Sequence, residues 1–303
     1  MLTRDTDAFL AAARACAADF GPATAKAAFL VAPDGFGLAA ESASDNRYMA
    51  EAAAFDGARA SAQHRELQRA LSVELPVICF AGDPATPDAV FPNNVFATAP
   101  GRFIIGRMRH PIRQREAQRK DIRRFFSGTL GRSEIDLSMQ PHVCELTGAL
   151  AIDRARGLGF CGLSERCDEA GARLMHDAFD LRATLMFDLA PGEYHTNVVL
   201  AVLAGRAALI CVDGFADQAA VEAIAACYAP HAIRLSPAER AAFAGNAISL
   251  APGTVWMSAT AARGLSVDSR SGLTAAGFGV REVELGAIEA AGGSLRCCVG
   301  ELF

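Results

Sequence analysis

The chain lacks the features that sort many sequences at once. It has no dense basic block, and its net charge of −5 is spread along its length, which argues against nucleic acid and against a membrane surface as partners. The one locally basic stretch, Arg107 to Arg124, is interrupted by acidic residues and reads as a solvated helix. No CxxC pair and no Cys/His ladder occurs, so a zinc site is not expected. The nine cysteines are odd in number and scattered, which excludes a disulfide framework; they are expected to be reduced and mostly buried. The first residues are too polar for a secretory signal, with Arg4, Asp5, Asp7, Arg14 and Asp19 among them. The longest uncharged run, Phe243 to Ala262, is broken by Asn246, Pro252 and Gly253, and reads as two strands and a turn rather than a membrane span. A soluble, cytoplasmic protein is expected.

What is present is length, apolar content and a period. The 303 residues are 51% hydrophobic, enough for a substantial core. Counting backward from Cys297, Asn246 lies 51 residues earlier (297 − 246) and His195 another 51 (246 − 195). Glu145 lies a further 50 (195 − 145) and Asn94 a further 51 (145 − 94). Each of these polar residues opens a similar module of strand, turn, strand and helix. The expected inner strands are 149–152, 198–203 and 247–250, with crossover helices near 111–127, 166–178 and 216–228. The fifth module opens at Cys297, read as the mouth of a short apolar strand, and runs out six residues later. The strands at 27–32 and 76–80 must therefore complete it, closing a ring and removing a free edge. Residues 40–72 read as helical. Residues 5–19 read as a short amphipathic helix that packs on the outside or against a second copy in a homodimer.

The chemistry follows from the residue types. A reactive cysteine needs a partner that lowers its pKa or takes its proton. A lone cysteine is usually inert core, and a lone histidine is usually structural. Cys297 differs because it follows Gly292-Gly293 and shares its phase with His195, a general acid and base near neutral pH, and with Glu145, which would fix the ring's tautomer or hold a cationic substrate group. On a regular strand Cys298 would point to the opposite face, into the core. This reading gives a thiol of lowered pKa, open to iodoacetamide below pH 7.

The turns FPNN (91–94), ELTG (145–148), YHTN (194–197) and FAGN (243–246), with the terminal GGSLRC (292–297), together resemble the guanidino-group-modifying enzyme superfamily. Arginine deiminases, dimethylarginine dimethylaminohydrolases, amidinotransferases and succinylarginine dihydrolase belong to it. The resemblance covers about residues 26–303 and is closest to the citrulline-utilisation hydrolase (citrulline ureidase), arginine deiminase-related branch. It implies an α/β fold, the five-bladed α/β propeller or pentein, with residues 25–303 as a single catalytic domain and 1–24 as an N-terminal helical extension. It makes Cys297 the nucleophile, His195 the general acid/base and Glu145 its acidic partner. It sets Asp88 against the α-amino group of an amino-acid substrate, and Arg113 and Arg166 against the α-carboxylate, where a guanidinium fork suits the geometry. Asn94, Asn197 and Asn246 complete the expected substrate-binding set. No metal or organic cofactor is required.

Two departures from the family pattern carry the substrate expectation. Deiminases grip a cationic guanidinium with carboxylates in the slots that hold Asn94 and Asn197 here. An asparagine offers one acceptor and one donor group, which suits a neutral ureido group and cannot neutralise a buried cation. The expectation is therefore hydrolysis of citrulline to ornithine, ammonia and carbon dioxide through a covalent cysteine intermediate. The runners-up are arginine dihydrolase, arginine deiminase and dimethylarginine dimethylaminohydrolase; a non-catalytic binding propeller is the rival from another class. Val95 stands where the branch has tryptophan, and Leu146 where it has glycine. Gly35 to Asn46 is the candidate lid.

Overall fold

The computed structural model describes residues 1–37, 40–50 and 55–303. Its strands form five separate small sheets. Blade I holds Phe96–Ala99, Arg102–Ile105 and Ser133–Asp136. Blade II holds Leu150–Asp153, Leu158–Leu163 and Ala183–Asp188. Blade III holds Leu200–Leu203, Ala207–Cys211 and Ala232–Leu235. Blade IV holds Ile248–Ala251, Thr254–Ser258 and Gly279–Val283. In each, the first two strands are an antiparallel hairpin and the third joins in parallel after a crossover. Blade V takes its inner strand from the C-terminus: Gly300–Leu302 runs antiparallel to Ala27–Val31, which pairs in parallel with Val77–Phe80.

The inner strands stand side by side around one axis. Leu200–Leu203 packs on Leu150–Asp153 and on Ile248–Ala251, and Gly300–Leu302 packs on Phe96–Ala99. The ring closes through the turn at Leu295–Cys298, which touches both Thr254–Ser258 and Pro92–Asn94. This is the α/β propeller that the family resemblance implies, closed as the modules require. The apolar core is divided between neighbouring blades. One cluster runs through blades II, III and IV, one joins blades IV and V, one blades I and II, and one blades V and I. The crossover helices have side-chain caps at their N-termini: Asp56 on the Arg59 N–H, Asp168 on Gly171, Asp217 on Ala219 and Ser266 on Ser269.

Several local expectations change. The module starts are single helical turns rather than strand mouths. Pro92–Asn94, Leu146–Ala149, Thr196–Val199 and Leu295–Cys298 each coil once before the inner strand begins. The inner strands accordingly begin one or two residues late at three of the modules, at Leu150, Leu200 and Ile248. Cys297 and Cys298 sit in a helical turn, so strand alternation does not separate them; Cys298 is fully buried even so. The stretch expected as one solvated helix at 111–127 is four short turns, Pro111–Gln114, Glu116–Gln118, Lys120–Arg123 and the wide turn Arg124–Thr129, with Arg113 and Glu116 buried. The 40–72 stretch holds Ala40–Ala43, Arg47–Ala50 and Gly57–Ser72; positions 51–54 lie outside the described residues, as do 38 and 39 of the candidate lid.

The N-terminal residues are built into the ring. Leu2–Thr3 adds a parallel strand to blade II beside Thr184 and Leu185. Helix Thr6–Ala15 lies on the blade III helix Gln218–Tyr228. Its Phe9 is fully buried and meets Phe160 edge to face at 5.6 Å. Burial of such a ring is worth about 2–3 kcal/mol.

Candidate active site

The helical turns that open the modules converge on one end of the axis. There they wall a narrow cleft lined by Asp88, Asn94, Arg113, Arg166, His195 and Cys297, with Ser42, Asn46, Phe91 and Tyr194 among the other walls. Cys297, 2% exposed, is held from behind by two asparagines. Asn246 donates from Nδ2 to its Sγ at 3.3 Å and accepts the Arg296 N–H at 3.0 Å. The thiol points at Asn197 Oδ1, 3.7 Å away. Asn197 and Asn246 thus stand behind the sulfur and not in the wall of the cleft, while Asn94 faces the cleft directly with its Oδ1 buried and unpartnered.

His195 and Glu145 meet through Nε2 and Oε2 at 2.8 Å. Glu145 is fully buried, and its other oxygen accepts the Arg109 N–H at 3.0 Å. Burial would raise its carboxyl pKa, but the Arg166 guanidinium and the bond to His195 outweigh that and hold it well below the usual carboxylate range. An ionised Glu145 only accepts, so Nε2 of His195 carries the hydrogen. Burial lowers the imidazole's pKa against the pull of Glu145, leaving a neutral ring with a bare Nδ1 lone pair. Burial also pushes the Cys297 thiol above its ordinary 9.0, despite the Asn246 bond and the Arg296 charge. The lowered pKa expected from the sequence is therefore reversed: the resting thiol is protonated because its seat is dry and its nearest partners are amides.

Backbone constraints hold this arrangement. Leu146, beside Glu145, has φ of 28°, in the region glycine prefers, so the turn that carries Glu145 holds backbone strain. At Gly148, a Cβ would come within 2.6 Å of Asn94 Oδ1 and 2.9 Å of His195 Cε1. Only glycine lets blades I, II and III bring these side chains together.

The charged groups expected to hold an amino acid are in place and largely occupied. Arg113 makes a two-pronged pair with Glu116, at 2.8 and 2.9 Å, and donates to Phe91 O at 3.0 Å. Burial lifts Glu116 to about 7 against the pull of Arg113. Asp88 accepts from Ser42 Oγ at 2.5 Å and leaves its Oδ1 buried without a partner. Arg166 grips Asp45, with Nε to Oδ2 at 2.9 Å and Nη2 to Oδ1, and reaches Glu145 with Nη1 at 3.3 Å. Burial raises the Asp45 pKa, but Arg166 more than compensates and keeps it lowered.

Ser42, Asp45 and Asn46 belong to a strap, residues 40–50, that crosses the cleft. Asn46 Nδ2 donates to Gly292 O at 3.2 Å, and Tyr48 OH donates to Glu193 at 3.1 Å. The sequence reading assigned no contact to any of these side chains, and it passed over Tyr194, whose hydroxyl bonds Gly292 O and whose ring lies 4.6 Å from that of His195. Only the adjacency of Tyr194 to His195 offered a signal. All nine cysteines are free. Among the described residues no group of three His, Cys, Asp or Glu side chains is placed to hold a metal ion, and no helix is long and apolar enough to cross a membrane.

This architecture recurs in solved structures. The N-terminal domain of ArgZ, an arginine dihydrolase from the ornithine-ammonia cycle in cyanobacteria, as a substrate-bound cysteine-to-serine variant, matches with TM-score 0.78 and 20% identity over 91% of this chain and 97% of that one. AgrE in ternary complex with ornithine and NAD+ matches with TM-score 0.78 and 23% identity over 91% of this chain, which spans 39% of AgrE. A dimethylarginine dimethylaminohydrolase adduct with 4-chloro-2-hydroxymethylpyridine matches with TM-score 0.69 and 19% identity over 91% of this chain and 99% of that one. No curated protein sequence matches the chain. The family model described as N,N dimethylarginine dimethylhydrolase, eukaryotic, matches residues 32–303, and the chain belongs to that family.

Proposed function

We propose that this protein is a hydrolase that attacks the guanidino or ureido carbon of an arginine-like amino acid through Cys297. The observation that carries the reading is the convergence of a buried thiol, a neutral imidazole hydrogen-bonded to an ionised carboxylate, and a charged amino-acid holder around one cleft. As the substrate carbon approaches, His195 Nδ1 takes the thiol proton, and Glu145 stabilises the imidazolium so formed. The sulfur adds to the carbon, His195 returns the proton to the departing nitrogen, and ammonia leaves. Water, deprotonated by the same imidazole, then releases the carbon from sulfur. Asp88 Oδ1 and Arg113 hold the ammonium and carboxylate ends of the amino acid.

Citrulline is the substrate we favour. Among the described residues Asp88 is the carboxylate that lines the cleft, and Glu145 lies behind His195; Asp88 belongs to the amino-acid end, and Glu145 is committed to His195, Arg166 and the Arg109 N–H. Asn94 meets the reacting group with a neutral acceptor. A ureido group enters such a seat without an unneutralised charge. Attack on citrulline expels ammonia, and hydrolysis of the S-carbamoyl intermediate gives a carbamate that splits into ornithine and carbon dioxide. Arginine is the second reading, favoured by the raised pKa of Cys297, since a guanidinium beside the sulfur would bring the thiolate into range.

Incubation of the purified protein with citrulline, arginine and dimethylarginine, followed by mass spectrometry of the products, separates the two. Ornithine from citrulline alone supports the ureido reading. Citrulline accumulating from arginine or dimethylarginine contradicts it.

A further inference from the structure

Behind the reactive centre the inner strands line a second, partly open pocket with room for about three water molecules. Its walls are residues further along those strands, Val202 and Ser249 among them, together with Arg154, Arg296 and Glu301. Asn197 stands between this chamber and the Cys297 sulfur. The chamber's charged walls are Arg154, Arg296 and Glu301, which leaves one positive charge in excess. Arg296 is paired with Glu301 at 2.9 Å. Arg154 joins no ion pair among the described residues. Its Nη1 donates to Thr98 O at 3.1 Å, and its guanidinium lies 4.2 Å from the Phe303 ring and 5.1 Å from that of Phe179. A carbonyl and two ring faces orient a cation without neutralising it. Burial holds the Arg154 pKa down at about 10, with Glu301 opposing and Arg296 adding to the effect. On the same wall, Asn197 Nδ2 is a buried donor with no partner. Buried donors of this kind are normally satisfied. A free guanidinium and a bare amide N–H facing one chamber make a receptor for a ligand that only accepts.

We propose that this chamber is a second ligand site that binds a small oxyanion of bicarbonate or phosphate size, with Arg154 as its charge anchor. The site does not depend on which amino acid the front cleft takes. It communicates with the cleft through Arg296, whose N–H is held by the same Asn246 side chain that bonds the Cys297 sulfur. A bound anion screens the Arg296 charge that favours the thiolate. It therefore slows turnover without competing with the amino acid.

The test is calorimetry and thermal denaturation of the whole protein with sodium phosphate and with sodium bicarbonate, against sodium chloride at equal ionic strength. Wild type should bind at least one of the two at one equivalent, with a raised Tm and non-competitive inhibition. Tighter bicarbonate marks a planar seat and tighter phosphate a tetrahedral one, and either supports the site. R154Q should weaken binding by at least about tenfold. V202E, which supplies an internal carboxylate from a half-buried position in the wall, should abolish anion binding and turn over at the slowed rate of the anion-bound wild type; it decides the matter if R154Q does not fold. The proposal is overturned if neither anion gives heat or a Tm gain beyond chloride, or if binding survives undiminished in the folded variants.

Discussion

The module starts and the strap line the same cleft by opposite means. Cys297, His195, Glu145 and Asn94 ride on helical turns that open four of the five blades, each fixed by the inner strand that follows. Ser42, Asp45 and Asn46 lie on a segment outside the repeat and reach the site through side-chain bonds to residues far along the chain, Asp88, Arg166 and Gly292. On the proposed function, the repeat positions the reacting atoms, and the non-repeating segment occupies the groups proposed to hold the amino acid. Rigid positioning serves chemistry, because small displacements of reacting groups are costly. A segment held by a handful of polar bonds is suited to exchange those bonds for a ligand's. Asp45 lies across Arg166 as a substrate carboxylate would.

If that division is right, damage to a module start should abolish chemistry and leave binding, and damage outside the repeat should do the reverse. The largest effect is expected from C297S, which should cut turnover by about 10⁴-fold or more while citrulline still binds by calorimetry. Retained turnover would move the nucleophile elsewhere. F9A comes next and tests the other non-repeating segment. It should cost about 3–5 kcal/mol in denaturant unfolding, because it empties a buried site against Phe160, with kcat of the folded fraction unchanged. An effect below about 1 kcal/mol would show that the N-terminal helix is peripheral to the core. G148A should lower kcat by about 10²-fold, since its methyl group displaces Asn94 and His195 by a few tenths of an ångström or more. Near-normal kcat there would mean that the contact is not part of the reacting geometry.

D45N should act on KM. Removing the charge from the bidentate contact with Arg166 should shift KM by about tenfold with kcat within a factor of about three. A fall in KM marks Asp45 as an occupant that substrate displaces, and a rise marks it as the group that orients Arg166. A collapse of kcat with KM unchanged would break the division between the two regions. The smallest effect is in the pH profile. The working protonation state, one proton shared between Cys297 and His195, exists below the raised thiol pKa and above the lowered imidazole pKa. Accordingly kcat/KM should be flat from about pH 6.5 to about pH 9. It should fall on the acid side as His195 takes a second proton, and on the alkaline side as the pair loses its last one. Iodoacetamide labelling of Cys297 in the resting enzyme should rise only above about pH 9; rapid labelling below pH 7 would contradict the buried, protonated thiol.

Much of this was legible in the sequence, for a physical reason. A repeat writes its architecture into spacing, so the ring, its C-terminal closure and the convergence of Asn94, Glu145, His195 and Cys297 could be counted out before any fold was seen. The single helical turns were not legible, because four residues carry no period. The burial of Arg113 was hidden for a different reason: its partner Glu116 looks like one more charge on a wet helix until the surrounding blades close over both. The Cys297 pKa direction was misread because histidine in phase suggested an ion pair, whereas desolvation at a fully enclosed thiol outweighs amide bonds. The strap left no trace at all. Its contacts span up to 246 residues, and an alanine-rich local pattern says nothing about where Asp45 will reach.

The central claim is that Cys297 bonds covalently to the substrate carbon. Rapid chemical quench during turnover of citrulline, followed by intact-protein and peptide mass spectrometry, tests it most directly. The account predicts one added ornithine-carbamoyl group per chain, on the peptide containing Cys297, formed and lost at rates consistent with kcat and missing in C297S. Turnover with no adduct at any quench time under conditions that preserve a thioester-like bond, or an adduct on another residue, would contradict it.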